Sequence, residues 1–223
     1  ASAPLTHGRL IDATATSPSQ TASGGMLRLN NNGRATLTSC SVTNVSAAST
    51  GGYASGGAVL VGTNGTVMMV GCNVTSASVW TRTDQSVGGL ASLATNGSAT
   101  FSNCRIANAT ATSVLSHASG GVLRLGNYAR VLVENCSLQH ASASSTRGHA
   151  AGGLAELTVT ATLQITGCNI TNTSVRTAAS GSAMAGVARA GRFSVIRIVG
   201  CNIANTSVTS DAGSVYGGVA RGM

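Results

Sequence analysis

The sequence predicts an all-β solenoid, a stack of about seven 32-residue coils that forms a single repeat domain over positions 1–223. Three observations lead to this fold class. Six cysteines recur at a constant interval of 32, except for one interval of 33 before the last of them. A glycine keeps the same step ahead of each cysteine. Between these markers the apolar residues alternate with a period of two, which is the periodicity of strands and not of helices.

The two markers define the length of a coil. The cysteines are Cys40, Cys72, Cys104, Cys136, Cys168 and Cys201, and the glycines are Gly25, Gly57, Gly89, Gly121, Gly153, Gly186 and Gly218. Each of the first six glycines precedes its cysteine by the distance that separates Gly25 from Cys40, so the one additional residue falls between Cys168 and Gly186. A fixed step of this kind is the signature of a repeat architecture.

Each coil is predicted to hold three strands. The first follows the glycine, the second ends near the cysteine, and the third is short and follows the cysteine, before a loop of variable sequence. Asn-Gly pairs at 32–33, 64–65 and 96–97 predict a turn between the first two strands. One coil cannot bury its apolar face alone, so we expect stacked coils with like residues over like residues, about 4.8 Å apart.

The repeat resembles those of known β-helices. The segments "SGGAVLV" and "SGGVLRL" are similar to the GG-aliphatic motif of polymorphic outer-membrane-protein repeats, and "FSNC" at 101–104 is similar to their F-x-x-N motif, with its asparagine one position earlier. The whole chain resembles the right-handed parallel β-helix (pectin-lyase-like) superfamily. That resemblance implies a right-handed parallel β-helix. Left-handed β-helices have shorter, hexapeptide-based coils, and propellers need four strands and aromatic residues in each blade.

The chain has few charged residues, and most of them are basic. Only 8% of the residues are charged, all 13 basic residues are arginines, and the net charge is +8. Such a balance favours acidic partners such as anionic glycans, membrane surfaces or nucleic acid. The alternative is a set of dispersed surface arginines that aid solubility; on that interpretation we expect no nucleic-acid partner. No apolar run is long enough to predict a transmembrane segment.

Three interpretations of the cysteine column are open. A metal site would need clustered ligands, whereas these cysteines are a full coil apart. Disulfides between neighbouring coils suit a secreted chain, but stacked residues lie farther apart than a disulfide prefers. A ladder of buried, reduced thiols that act as small apolar fillers is the interpretation we favour.

A second polar column lies four residues after the cysteines. Its asparagines are expected to form a structural ladder at a bend, with Ser76 and His140 in the remaining coils: Asn44, Asn108, Asn172 and Asn205. Several asparagines also lie in Asn-x-Ser/Thr sequons. The candidate N-glycosylation sites are those in turns or pointing outward: Asn64, Asn73, Asn96 and Asn169. An asparagine of the ladder that points inward could not accept a glycan.

The distribution of acidic residues argues against catalysis. The five acids are Asp12, Asp84, Glu134, Glu156 and Asp211, and no two of them share a repeat column. Glycosidase chemistry needs two carboxyl groups within roughly 5–10 Å. We therefore predict no enzyme activity, no catalytic or metal-binding residue and no cofactor.

Two functions from different classes remain. The first is a structural one, a rod-like segment of an extracellular surface protein or filament that continues in the same chain or stacks end to end with further copies. The second is an adhesin or glycan-binding module that uses the variable loops. Its candidate loop contacts are Trp80, Tyr53 and Tyr216, and an interrupted arginine stripe that starts at Arg28 could bind anionic sugar.

Overall fold

The computed structural model describes residues 2–179 and 181–221 and shows a parallel β-solenoid of about seven coils. Each strand pairs in parallel with the equivalent strand of the next coil, so that Thr66 lies beside Ser98 and Thr162 beside Val195. The described residues contain strands, turns and bends but no helix, so no helix in this part of the chain could span a bilayer. The predicted fold class is confirmed.

Two of the four sheets flank the cysteine column. Sheet A precedes the cysteines and has seven strands: Ser2–Thr6, Arg34–Thr38, Thr66–Val70, Ser98–Ser102, Arg130–Glu134, Thr162–Thr166 and Val195–Val199. Sheet B follows them and has twelve: Arg9–Ile11, Thr14–Ser17, Ser41–Ser49, Asn73–Thr81, Arg105–Ala107, Thr110–Ser113, Ser137–Gln139, Ser142–Ser145, Asn169–Thr171, Ser174–Thr177, Asn202–Ala204 and Ser207–Ser210.

The other two sheets flank the glycine column. Sheet C precedes it: Ala22–Ser23, Ala54–Ser55, Ser86–Val87, Ala118–Ser119, Ala150–Ala151, Ala183–Met184 and Val215–Tyr216. Sheet D follows it: Leu27–Leu29, Val59–Val61, Ala91–Leu93, Leu123–Leu125, Ala155–Leu157, Ala188–Ala190 and Ala220–Arg221. Sheet C was not predicted, because two residues of a strand are too few to show an alternating pattern.

Four bends with a left-handed backbone close each coil. In the fourth coil they fall at Gly120, Tyr128, Asn135 and His140, with φ between 51° and 59°. Glycine and asparagine tolerate this conformation best, which explains why they recur at these four positions. The glycine that follows the first bend is required for a different reason, because a Cβ on Gly121 would overlap the backbone of the neighbouring strand at Ser142.

The core is a continuous column of small and medium apolar side chains. Inward positions of sheets A, B and D form one hydrophobic cluster that runs through the stack, with Phe101 and Met69 fully buried at its centre. Alternate residues face outward, as in Arg130–Glu134, where Val131 and Val133 are buried and their neighbours are not. The predicted period-two pattern therefore separates core from surface.

The one additional residue lies in the loop between sheets B and C of a single coil. Thr177 pairs with Ser145 at the offset common to the earlier coils, whereas Ala183 pairs with Ala150 at an offset that is longer by one. The insertion therefore falls between Thr177 and Ala183, inside the interval predicted from the spacing. Strand pairing on either side of the loop is kept, because the extra residue is taken up outside the sheets.

Candidate functional site

The cysteine column lies at the corner between sheets A and B. All six cysteines are free thiols, five of them buried and Cys201 half-buried. The Cys104 thiol lies 3.3 Å from two backbone carbonyls, those of Met69 and Ser102, and the backbone N–H of Cys104 donates to the sulfur of Cys136 at 3.3 Å. Each sulfur is therefore a small buried group that also engages the polar backbone at the bend.

Burial and the neighbouring thiols set the chemistry of this column. Burial raises the pKa of Cys72 to about 11. The pKa of Cys136 is also raised, first by its hydrogen bonds with the thiols of Cys104 and Cys168. The same hydrogen bonds with Cys136 lower the pKa of Cys104 to about 7 and that of Cys168 to about 6. Cys72 and Cys136 thus keep their protons and are poor nucleophiles, whereas burial is what limits access to Cys104 and Cys168. Within the described residues no group of three or more His, Cys, Asp and Glu side chains is arranged to hold a metal ion.

The asparagine column differs from the expectation for an inward ladder. Asn44, Asn108, Asn172 and Asn205 are exposed, and each has φ between 53° and 56°. Where two neighbouring coils both have asparagine at this position, their side chains form a hydrogen bond: Asn205 Nδ2 donates to Asn172 Oδ1 at 3.1 Å. The main reason for asparagine at this position is thus the left-handed bend, with side-chain pairing as a second contribution.

The candidate glycosylation sites lie on the surface of the solenoid. Asn64, Asn73, Asn96 and Asn169 are all exposed, and Asn169 Oδ1 accepts a 3.2 Å hydrogen bond from Asn202. Because the ladder asparagines are exposed as well, accessibility does not separate the two sets. Ladder asparagines were expected to be excluded as acceptors only where they point inward, and the exposure of these four does not exclude them.

The three candidate loop contacts do not come together. Trp80 is 37% exposed and lies in sheet B, within Asn73–Thr81. Tyr53 is half-buried and directly precedes sheet C, and Tyr216 lies in the last described strand of that sheet. Tyr53 and Tyr216 are five coils apart, which is about 24 Å at the usual spacing of strands.

A cleft of about 360 Å³ lies on the outer surface between sheets C and D. One wall is formed by the residue that precedes each strand of sheet C, and the opposite wall by the central residue of each strand of sheet D. These two columns vary from coil to coil, unlike the columns of the core. The cleft is lined by Gln85, His117, Ala118, Ser119, His149, Ala151, Glu156, Ser182, Met184 and Arg189.

Buried hydroxyl groups hold the loops that carry this first wall. The residue nine positions after each cysteine carries a hydroxyl group: Ser49, Thr81, Ser113, Ser145, Thr177 and Ser210. Ser145 Oγ accepts a hydrogen bond from the N–H of Gly148 at 2.8 Å and donates one to the carbonyl of Ser116 at 2.6 Å. One side chain therefore ties down the residues just before His117 and His149.

The two histidines of the cleft lie one above the other in adjacent coils. Their ring centroids are 5.0 Å apart and the rings are tilted by 40°. The backbone N–H of Ser182 donates a 2.8 Å hydrogen bond to Nδ1 of His149, so this nitrogen is an acceptor and Nε2 carries the hydrogen. Burial lowers the pKa of His117, and His149 and Arg189 lower it further, while Glu156 opposes them.

The opposite wall carries an ion pair. Arg189 Nη1 lies 2.5 Å from Oε1 of Glu156, and both side chains are largely shielded from solvent. Arg124 is the register neighbour of Glu156 on its other side, and its buried Nε has no hydrogen-bond partner in the described part of the chain. Burial raises the pKa of Tyr53, an effect that Arg124 partly offsets.

Sequence reasoning missed the cleft although it identified one of its walls. The interrupted arginine stripe contains Arg124, Glu156 and Arg189. The facing column reads Tyr53, Gln85, His117, His149 and Ser182, four residues before the second glycine of each bend. Two consecutive histidines in one column were the available signal; their approach to the stripe depends on the bend between sheets C and D, which the sequence pattern did not specify.

Comparisons of this chain with protein-family models, curated proteins and solved structures gave no match.

Proposed function

We propose that this chain is a non-catalytic structural protein, a rod-like β-solenoid segment of an extracellular surface protein or filament. The observation that supports the proposal is the state of the two end coils. At one end Ile196, Ile198 and Ile203 are half-buried, whereas their equivalents in the preceding coil are fully buried. At the other end Leu10, Met26 and Leu27 are half-buried in the same way.

Among the described residues, a coil therefore buries its apolar side chains fully only where a coil stacks on each side of it, and a strand edge without such a neighbour is unpaired. Edges of this kind are normally covered, and in a solenoid the cover that fits is a further coil. A further coil can come from the same chain or from a second copy. Contact between the end of one copy and the start of the next is heterologous and generates a fibre.

Electron microscopy and sedimentation velocity of the chain test this proposal. We expect rods longer than a single seven-coil stack, and shorter rods when Ile198 is replaced by arginine. The matched control is Gln164→Arg, which places the same charge on an outward position of the preceding coil. Monomers of uniform length at all concentrations, unchanged by Ile198→Arg, would contradict end-to-end stacking.

The resemblance of the repeats to polymorphic outer-membrane-protein repeats supports a relationship with the right-handed β-helices of the pectin-lyase-like superfamily. We infer a surface location from that resemblance together with the exposed sequons. Mass spectrometry of the native protein tests the second part: glycan on Asn64, Asn73, Asn96 or Asn169 supports an extracellular location, and unmodified asparagine at all four removes that support.

One observation favours the alternative, a glycan-binding module. Trp80 presents its ring to solvent on a rigid sheet rather than packing in the core, and aromatic faces are typical contact surfaces for ligands. Binding on a glycan array that is lost in Trp80→Ala would support this function. A control substitution of the exposed Met68 to alanine should leave such binding unchanged.

A further inference from the structure

The cleft between sheets C and D has a surplus of hydrogen-bond donors. His149 presents its Nε2–H because Nδ1 is engaged by the N–H of Ser182 at 2.8 Å. The guanidinium groups of Arg189 and Arg124 flank the single carboxylate of Glu156 in the same register column. With neutral histidines, Arg124, Arg189 and Glu156 give a net charge of about +1, and protonation of His117 raises it to about +2.

Protonation of His117 is the step by which this charge can change when a ligand binds. The charged and titratable groups that act on His117 are His149, Arg189 and Glu156, and the cleft otherwise presents the neutral Gln85, Ser119 and Ser182. Burial and the neighbouring positive groups oppose protonation of His117 in the empty cleft. An anion beside the imidazoles would reverse that balance, because an opposite charge within a few ångströms favours the protonated form.

We propose that the cleft lined by His117, His149, Glu156 and Arg189 binds a small ligand through an oxyanion group, with His149 as a neutral Nε2–H donor, and that binding is coupled to protonation of His117. The oxyanion can be a carboxylate, a sulfate or a phosphate group, since all three accept hydrogen bonds from imidazole N–H and guanidinium donors. The hydroxyls of Ser119 and Ser182 and the amide of Gln85 complete a lining suited to a hydroxylated molecule. This site lies outside the core columns and is independent of how the ends of the rod are covered.

A metal ion fits this cleft less well. A histidine that binds a metal through Nε2 has to lose the hydrogen from that nitrogen, and its Nδ1 normally donates to a carbonyl or carboxylate. In His149 the backbone N–H of Ser182 already occupies Nδ1 as a donor, which leaves the hydrogen on Nε2. The geometry therefore favours an acceptor-rich ligand over a cation.

The chain contains its own reference groups for a binding experiment. It has four histidines, of which His117 and His149 lie in the cleft, while His7 and His140 lie at exposed bends elsewhere. NMR spectra of the imidazole C–H groups, recorded at constant ionic strength, would follow titrations with sodium glucuronate, sulfate and phosphate. Glucose serves as the uncharged counterpart of glucuronate.

We expect saturable shifts of His117 and His149 with at least one oxyanion, and little change at His7 and His140. Affinity should be about tenfold or more higher near pH 5.5 than near pH 7.5, because bound anion and bound proton stabilise each other. Comparison of the three probes identifies which oxyanion the cleft prefers. Glucose should produce no saturable shift.

Two substitutions of His149 separate its structural and binding roles. In His149→Asn, the side-chain oxygen can replace Nδ1 as the acceptor for Ser182, while the Nε2–H donor is lost, so binding should weaken about tenfold in a folded protein. In His149→Gln, a neutral donor is retained near the position of Nε2, so binding should persist and should keep its pH dependence, which comes from His117. The control, His140→Asn, introduces the residue usual at its own bend and should change nothing.

Several outcomes would overturn the proposal. Equal, non-saturating shifts at all four histidines would indicate a general salt effect. Binding of glucose as strong as that of glucuronate would mean that the charge is not recognised. Affinity that is independent of pH, or a loss in His140→Asn equal to that in His149→Asn, would remove the role of the histidine pair.

Discussion

The backbone N–H of Cys104 donates a 3.3 Å hydrogen bond to the sulfur of Cys136 in the next coil. The same relationship joins Cys40 to Cys72, Cys136 to Cys168, and Cys168 to Cys201 at 3.3–3.4 Å. In each of these four pairs the thiol accepts one backbone hydrogen from the preceding coil and lies within reach of backbone carbonyls. The column thus satisfies polar groups at a corner that is otherwise apolar.

This arrangement predicts the reactivity of the thiols. In the native protein, Ellman's reagent should modify at most the half-buried Cys201, because the other five are buried. After unfolding in guanidinium without a reductant, all six should react. A total below six in the unfolded chain, restored by dithiothreitol, would instead show disulfides between coils.

The pKa shifts predict a loss of stability at alkaline pH. Cys72 has a pKa of about 11 in the folded state, above its ordinary value of 9.0, so the folded protein holds this proton more tightly than the unfolded chain. That contribution is complete below pH 9 and is lost as the pH rises toward 11. The pKa of Tyr53, raised above 10.0 by burial, acts in the same direction in the upper part of this range.

Guanidinium denaturation at a series of pH values measures this effect. The free energy of unfolding should fall between about pH 8.5 and 11, and in Cys72→Ala the fall should be smaller by about 2 kcal/mol. Cys201→Ala, which removes the half-exposed thiol, is the control. An equally reduced fall in both variants would mean that burial of Cys72 is not the cause.

The hydroxyl of Ser145 is predicted to order the loops beside the cleft. Ser145→Ala removes the acceptor for Gly148 N–H and the donor to the carbonyl of Ser116. It should lower the free energy of unfolding by about 1–3 kcal/mol and speed amide hydrogen exchange at Gly148. Ser145→Thr should retain both properties, since threonine occupies this column at positions 81 and 177. Equal exchange rates in the alanine and threonine variants would contradict the proposed role of the hydroxyl.

Two glycine substitutions are predicted to differ sharply. In Gly121→Ala the new Cβ would overlap the carbonyl oxygen of Gly153 in the next coil and lie 2.5 Å from that of Ser142 in the same coil, so backbone has to move and stability should fall by about 2 kcal/mol or more. Gly71→Asn is the comparison, because its Cβ would meet only Ser39 Oγ, at 3.7 Å. Asparagine already adopts the same left-handed conformation in that column at Asn103 and Asn135.

Thermal denaturation of the two variants gives the required comparison. A melting temperature close to wild type is expected for Gly71→Asn and a clear decrease for Gly121→Ala. If Gly121→Ala costs no more than Gly71→Asn, close packing between coils is not what requires glycine at position 121.

The sequence predicted the stack because the features that fix it repeat in every coil. The cysteine step and the period-two alternation around residues such as Val131 and Val133 were sufficient for the fold class and the core. The asparagine column was found, but its cause was not, because an asparagine at a left-handed bend and one in an amide ladder have the same sequence pattern. The structure places Asn108 at a left-handed bend, and this shows that the bend is the main reason for asparagine in the column.

The cleft could not be predicted for a related physical reason. His149 and Arg189 belong to different coils and to columns on opposite sides of a bend, and their approach depends on the angle at that bend. The loop that carries His149 had been interpreted as variable because its sequence differs between coils. Its anchor, Ser145, ends a strand of sheet B and belongs to a column with a hydroxyl in every coil, but that column does not show which loop atoms the hydroxyl bonds.

The constant register between coils also gives the molecule a unit of growth. An in-frame tandem duplication of one repeat adds one complete coil, lengthens the rod by about 4.8 Å and leaves both ends with the surfaces they had before. An insertion of half that length would set strands of one sheet above bends or strands of another and break the strand pairing between the two coils that flank it. Changes in the length of this protein during evolution are therefore expected to come in whole coils, with rare single residues accommodated in loops such as that between Thr177 and Ala183.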